Sequence, residues 1–457
     1  MARFTFIMFF IWLAAMMLSC WAWEVARMFA RRMMKEAERR ATRGADGQTE
    51  ENFKWPAAAV ILPIKGVEED TETNVRALLA QEYPRYRLLF AVESREDPVV
   101  PVLERLSHEP ASRQGGLRGV TIETVIAGIS TTRGQKVHNQ LAAFARTHAA
   151  DEVMVFMDAD ARPGSHWLRD LIKPLVEDEQ VGASTGFRFY IPESPDGTAK
   201  VPSAMVCVIN AAVAALLGPG WRNIAWGGSM AIMRANFLSF GVPEAWQNAL
   251  SDDYVLSWCV KNKSKRKIQF VQGCLVASAA DFTWPAFWEF AARQYRITKV
   301  CAPGVWWTAI GAAALYLAGL LYSSIFFLLS LIGIVPAESL TGHVDYLLAV
   351  MCFALYTCNW LRGRYLLLGG MAAFPEHADH LRKISFWYTW GYPVTLAVNL
   401  LALFKSAFGR SIQWRGVRYL MKNRLQTLVL RQGRRDGGQP MAAPPSVDEA
   451  AKISGQI

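Results

Sequence analysis

The chain has 457 residues, 52% of them hydrophobic, with 17 Trp and a formal net charge of +10. That length accommodates a sizeable core plus further elements, and its apolar residues are clustered as in few ordinary soluble proteins. The basic excess lies beside apolar stretches, where attraction to anionic lipid headgroups accounts for it without nucleic acid. Seven Cys with no C-x-x-C pair indicate reduced thiols rather than a disulfide or zinc framework.

In chain order, residues 4–23 carry no charge and are long enough to span a bilayer as a helix. The run is too long for a signal-peptide core and no small-residue cleavage site follows, so 1–26 reads as a retained transmembrane anchor. Arg27, Arg31, Arg32 and Lys35 come next, which assigns that side to the cytoplasm. Residues 27–54 read as a basic, then polar and Gly-containing, linker.

From 55 to 283 short apolar strands alternate with helical patterns, predicting an α/β domain with a mostly parallel sheet. Strands are expected at 57–62, 87–92, 120–125 and 153–157, with helices around 74–79 and 134–147. The fourth strand stops in Asp158-Ala159-Asp160. Strand ends are where ligands gather in such sheets, and two carboxylates there offer hard oxygens to a divalent cation; an acidic turn is the plain alternative. Asp97 and Lys136 fall near the same edge. No G-x-G-x-x-G or Walker A sequence is present, so dehydrogenase and P-loop readings lose their support. Trp226-Gly-Gly-Ser229 reads as a glycine turn entering a strand. Asp252-Asp253 opens a helix, where an acid is often only a cap.

Residues 284–303 form an amphipathic aromatic segment with Arg293 and Arg296 three apart, on one helical face if helical, and able to fork onto a diphosphate. Apolar stretches at 305–335, 344–361 and 384–404 make 304–404 a C-terminal transmembrane region. Three simple spans conflict with the basic, acid-free 405–435, which the charge rule puts in the cytoplasm. Either 305–335 crosses twice, or 384–404, broken by Gly391-Tyr392-Pro393, is re-entrant. His377 and His380, with no third ligand near in sequence, read as a solvated loop. The Gly/Pro-rich 436–457 reads as a disordered tail.

These elements together resemble membrane-bound family 2-type glycosyltransferases, above all the ceramide glucosyltransferase group and its bacterial lipid-glycosylating relatives. The residues that carry the resemblance are Pro63-Ile-Lys65-Gly66, Gln81-Glu-Tyr83-Pro84, Glu96-Asp97-Pro98, Lys136-Val-His-Asn139, Asp158-Ala-Asp160, Asp253-Tyr254, Arg293-Gln-Tyr-Arg296 and Ile412-Gln-Trp414-Arg415-Gly416. The chain has Ile297 where that family's R-x-x-R motif continues with Trp. The resemblance implies a GT-A domain and inverting transfer of a sugar from a UDP-sugar to a membrane lipid. Asp253 is then the catalytic base, and Asp158 and Asp160 the Mg2+ or Mn2+ ligands. Asp97, Lys136, Arg293, Arg296, Trp414 and Arg415 form the nucleotide-sugar site. It further implies a multi-pass protein of the bacterial inner membrane, its catalytic domain cytoplasmic, with no obligatory protein partner evident. A processive polysaccharide synthase and a polyprenyl-phosphate sugar transferase remain alternatives, as do a transporter or scaffold from outside enzymology.

Overall fold

The computed structural model describes residues 2–42, 53–108, 120–193, 197–218, 220, 222–334 and 344–431. Within it α1 (Ala2–Thr42) is one unbroken helix. Residues 27–42, expected as linker, continue it: the stretch is rich in Ala, Met, Glu and Arg and holds neither Gly nor Pro, so nothing stops the helix. The rest of the expected linker, 43–52, and the expected tail, 436–457, lie outside the described residues.

The central elements follow as β1 (Ala58–Pro63), α2 (Thr71–Leu79), β2 (Tyr86–Val92), α3 (Val99–His108), β3 (Thr121–Ile126), α4 (Gln135–Phe144), β4 (Val153–Met157), α5 (Trp167–Glu177), β5 (Val181–Pro192), α6 (Val201–Leu216), β6 (Ser229–Met233), α7 (Asp252–Trp258) and β7 (Lys267–Ala280). The seven strands make one sheet in the order β3-β2-β1-β4-β6-β5-β7. All neighbours are parallel except β6, which runs antiparallel to both β4 and β5. This is the GT-A form of the α/β class. The sequence placed the four parallel strands within a residue or so, but did not distinguish the reversal of β6.

Alternate residues of the central strands enter opposite cores, as the pleat requires. Ala58, Val60 and Leu62 of β1 join Val153, Val155 and Met157 of β4 on the face covered by α2, α3 and α5. Ala59, Ile61, Met154 and Phe156 join Val137, Phe237 and Trp246 on the other face. Register then sets the site. Val60 pairs with both Leu88 and Val155, so β1, β2 and β4 end along one edge. Met157 pairs with Ser229 of the reversed β6, so the Gly227-Gly228 turn meets the end of β4.

The remaining helices are α8 (Trp284–Cys301), α9 (Pro303–Leu331), α10 (Val344–Ala373) and α11 (Tyr392–Ala407). Residues 305–331 thus form a single helix rather than a double crossing, there being no Gly-Pro or polar turn to reverse the chain. The irregularity lies at 375–391, a string of short helical turns. At 16 residues α11 measures about 24 Å, less than a bilayer's hydrocarbon thickness. Two helices among the described residues, Phe9–Thr42 and Pro303–Leu329, are long and apolar enough to cross a membrane. α1 packs along α10: Trp12 Nε1 donates to Met351 O at 3.2 Å, Asn359 Nδ2 to Ser19 Oγ at 3.2 Å, and the Cys20 and Cys358 sulfurs stand 3.9 Å apart. The basic 405–435 segment holds a small antiparallel sheet of β8 (Ser411–Trp414), β9 (Val417–Asn423) and β10 (Gln426–Arg431).

Candidate active site

A cavity of about 2630 Å³ opens at the strand-end edge and runs on between α1, α6, α8 and α9. Its polar mouth is built from residues that register brings together. Lys136, on the first turn of α4, reaches Asp158 Oδ1 at 2.7 Å, Asp252 Oδ2 at 3.0 Å and Gly227 O at 3.2 Å. Burial alone would lower the pKa of its ammonium, but Asp158, Asp252 and Asp253 outweigh burial and raise it. Asp158 is held below its ordinary value: burial pushes it up, and Lys136 and Arg188 overcome that.

Arg188, on the part of β5 that overruns β6, lies 3.5 Å from Asp158 and 2.8 Å from Asp160, and spreads over the Tyr190 and Trp226 rings. The sequence reading missed it. The available signal was a guanidinium inside the apolar run Gly186-Phe-Arg-Phe-Tyr190. Its Nε is buried without a partner among the described residues. Asp158 and Asp160 thus present carboxylate oxygens from one short loop, both lining the cavity, with half the Asp160 side chain exposed. This donor set fits a hard divalent cation such as Mg2+ or Mn2+.

The acidic pair opening α7 divides its labour. Ser251, not an acid, is the N-cap, accepting the Tyr254 N–H. Asp252 is buried on Lys136 and Gln140 Nε2, the latter at 2.8 Å. Asp253 is half-buried and lines the cavity. It accepts N–H groups from Tyr254 at 2.7 Å and Gly227 at 3.4 Å, and the Ser251 hydroxyl. Burial, aided by the Asp252 charge, pushes its pKa up to about 6, against the opposing pull of Lys136 and these donors. A carboxylate so tuned can take a proton near neutral pH. Gly227 leaves room here for the Lys136–Asp252 pair. A Cβ on it would stand 2.5 Å from Asp252 Oδ2 and 2.7 Å from Lys136 Nζ.

The other sequence-predicted residues divide. Arg293 lines the cavity with its guanidinium over Trp414, which lines it too. Arg296, three residues on and so turned by roughly 60° about the helix, donates instead to Ser411 O of β8 at 3.3 Å. Asp97 is spent on the backbone: its Oδ1 accepts N–H groups from Gly66 at 2.9 Å and Val99 at 3.0 Å, fixing the Lys65-Gly66 loop that lines the cavity. Lys65 pairs there with Glu93 at 2.8 Å, a pair not singled out from sequence. Ile297, where Trp was the family expectation, packs against the small sheet's apolar cluster around Leu250 and Tyr419.

Arg415 arrives from the far end of the chain. Trp414 pairs with Val417, leaving Arg415 and Gly416 as a two-residue hairpin turn with φ of 46° and 81°. Both angles are left-handed, as that tight turn demands. From this tip Arg415 donates to Lys65 O at 3.3 Å and meets Glu68 at 3.4 Å. Behind the mouth the cavity turns apolar, with Trp21 and Met28 of α1, Ile209 and Val213 of α6, and Trp306 and Ala309 of α9.

A stretch of 173 residues is 22% identical to a ceramide glucosyltransferase of Candida albicans, covering 36% of this chain and 31% of that protein, less than a third of its length. Among solved structures, a mannosyltransferase from Pyrobaculum calidifontis in complex with GDP-Man and Mn2+ superposes with a TM-score of 0.37 at 14% identity, over 87% of this chain and 99% of that one. Glucosyl-3-phosphoglycerate synthase from Mycobacterium tuberculosis, with Mn2+, UDP-Glc and phosphoglyceric acid, gives 0.30 at 13%, over 52% and 78%. The profile of Glycosyl transferase family 21 matches residues 7–426, from the first apolar helix to the start of β10. The chain therefore belongs to Glycosyl transferase family 21.

Proposed function

We propose that this glycosyltransferase moves a sugar from a UDP-sugar to the hydroxyl of a membrane lipid such as ceramide, with inversion, giving a glucosylceramide-like glycolipid. The observation that carries the reading is the continuity of one cavity from the charged mouth to the apolar arm between α1, α6 and α9. A nucleotide diphosphate suits the first and a lipid chain the second.

In this reading Asp253 takes the acceptor hydroxyl's proton, a contribution of roughly 10²–10⁴-fold for a positioned base. Its carboxylate is aimed by the Gly227 and Tyr254 N–H groups. Arg188 and Arg293 offset the charge growing on the leaving UDP, and Trp414 and Arg415 close the donor side. When bound, a Mg2+ or Mn2+ ion on Asp158 and Asp160 adds Lewis-acid stabilisation of that charge. Lys136 keeps Asp158 ionised, and Asp97 acts through the Lys65-Gly66 loop. The apolar helices seat the protein in a bacterial inner membrane, with the GT-A domain on the side of Arg27, Arg31, Arg32 and Lys35.

The test is purified protein in detergent with a panel of UDP-sugars and lipids, with and without Mn2+, read by mass spectrometry of the lipid fraction. A single-sugar glycolipid is expected. Asp253→Asn should lose turnover by roughly 10²–10⁴-fold while binding the donor within a few-fold of the parent. Polymer as the product, or normal turnover by Asp253→Asn, would overturn the assignment.

A further inference from the structure

His377 and His380 lack a third ligand in the sequence, but the fold supplies one. Glu193, the residue after β5, comes alongside the short turns that follow α10, and one ligand atom from each of Glu193, His377 and His380 lies within 4.8 Å of the others. His377 Nδ1 stands 3.1 Å from Glu193 Oε1. Neighbouring ligands of a tetrahedral zinc are separated by roughly 3.4 Å, from bonds of about 2.0–2.1 Å. The first pair, at 3.1 Å, is within a few tenths of an ångström of that spacing, and the His380 ligand atom lies within 4.8 Å of both partners. His380 Nδ1 is buried with no hydrogen-bond partner among the described residues, the state in which an imidazole nitrogen is short of a ligand. The scaffold is firm. Leu381 and Ile384 are buried beneath the turns, and Phe374 packs its ring on Phe189 of β5 at 5.7 Å.

We propose that Glu193, His377 and His380 form a metal site of the zinc class, two imidazoles and a carboxylate with a fourth position open. Two histidines favour zinc and its borderline neighbours over Mg2+, which selects oxygen. The site differs from the Asp158/Asp160 pair in position and in donor chemistry. It staples the end of β5 to the connection between α10 and α11.

The test uses untagged full-length protein in detergent, stripped of metal and titrated with Zn2+ in millimolar Mg2+, and separately with Co2+. One equivalent of Zn2+ per chain is expected at micromolar affinity or tighter, with tetrahedral Co2+ absorption bands and a rise in the thermal midpoint. His377→Ala/His380→Ala should weaken binding at least tenfold and abolish the rise. Glu193→Gln, a milder change, should weaken it with the fold intact by circular dichroism. Asp158→Asn/Asp160→Asn should bind Zn2+ as the parent does. Absence of stoichiometric binding by the parent, or parent-like binding by the folded Glu193→Gln and double-histidine variants, overturns the proposal.

Discussion

The Asp253 environment predicts an acid limb in the pH–rate profile and the sign of its response to two neighbours. With its pKa pushed up to about 6, the Asp253 carboxyl is ionised in only about one molecule in eleven at pH 5 and about ten in eleven at pH 7. The donor kcat/KM should therefore fall close to tenfold per unit below pH 6. Asp252 raises that value and Lys136 lowers it. Asp252→Asn, isosteric and still able to accept from Gln140, should move the limb to lower pH. Lys136→Met should move it to higher pH. It also leaves Asp252 buried without its cation, at a cost of about 3–5 kcal/mol, so its profile is taken on protein shown folded by circular dichroism. The double variant removes one charge of each sign and should return the limb toward the parent. The assay is initial-rate UDP release from pH 5 to 8.5. A limb at the same pH in all four proteins, or single variants moving it the same way, refutes this account of Asp253.

Gly227→Ala should lose most activity and about 1–3 kcal/mol of stability, because its methyl group would meet the Lys136–Asp252 pair; thermal unfolding beside turnover checks both. Arg415→Ala removes the hairpin's contacts to Lys65 and Glu68 and should raise the donor KM several-fold with a smaller effect on kcat, seen in donor titrations at saturating acceptor. Val213→Arg puts a charge in the apolar arm. It should abolish transfer to lipid while leaving UDP binding, measured by calorimetry, within about twofold of the parent.

What the sequence made legible was local. The runs ending in Pro63, Glu93 and Asp158 are short, apolar and bounded, so their strand character and their ends could be read directly, and with them the edge where the charges collect. The reversal of β6 escaped because Ser229–Met233 has the same composition whichever way it runs. The part played by Asp252 escaped for a different reason: it depends on Gln140 and Lys136, more than a hundred residues upstream. The basic C-terminal stretch was read by its charge alone. Its strands alternate one side packed on Leu250 with one side of Arg and Lys, a weak pattern until the partner surface is known. Arg293 and Arg296 looked equivalent at a spacing of three, and only the position of β8 separates them.

The pairing of α1 with α10 has a consequence for how the molecule comes to exist. Contacts such as Trp12 to Met351 and Ser19 to Asn359 join positions 339 and 340 residues apart, so α1 meets α10 only after the whole intervening sheet has been synthesised. Throughout synthesis of the sheet, the Trp12, Ser19 and Cys20 stripe of α1 stands open on the side that α10 will cover. Closure of the helical layer is thus a late, long-range event, and long-range closure is intrinsically slow. A chain interrupted before residue 344 would complete the seven-stranded sheet but lack α10 and the Trp414-Arg415 hairpin, and would stand poised to associate with other chains through that stripe.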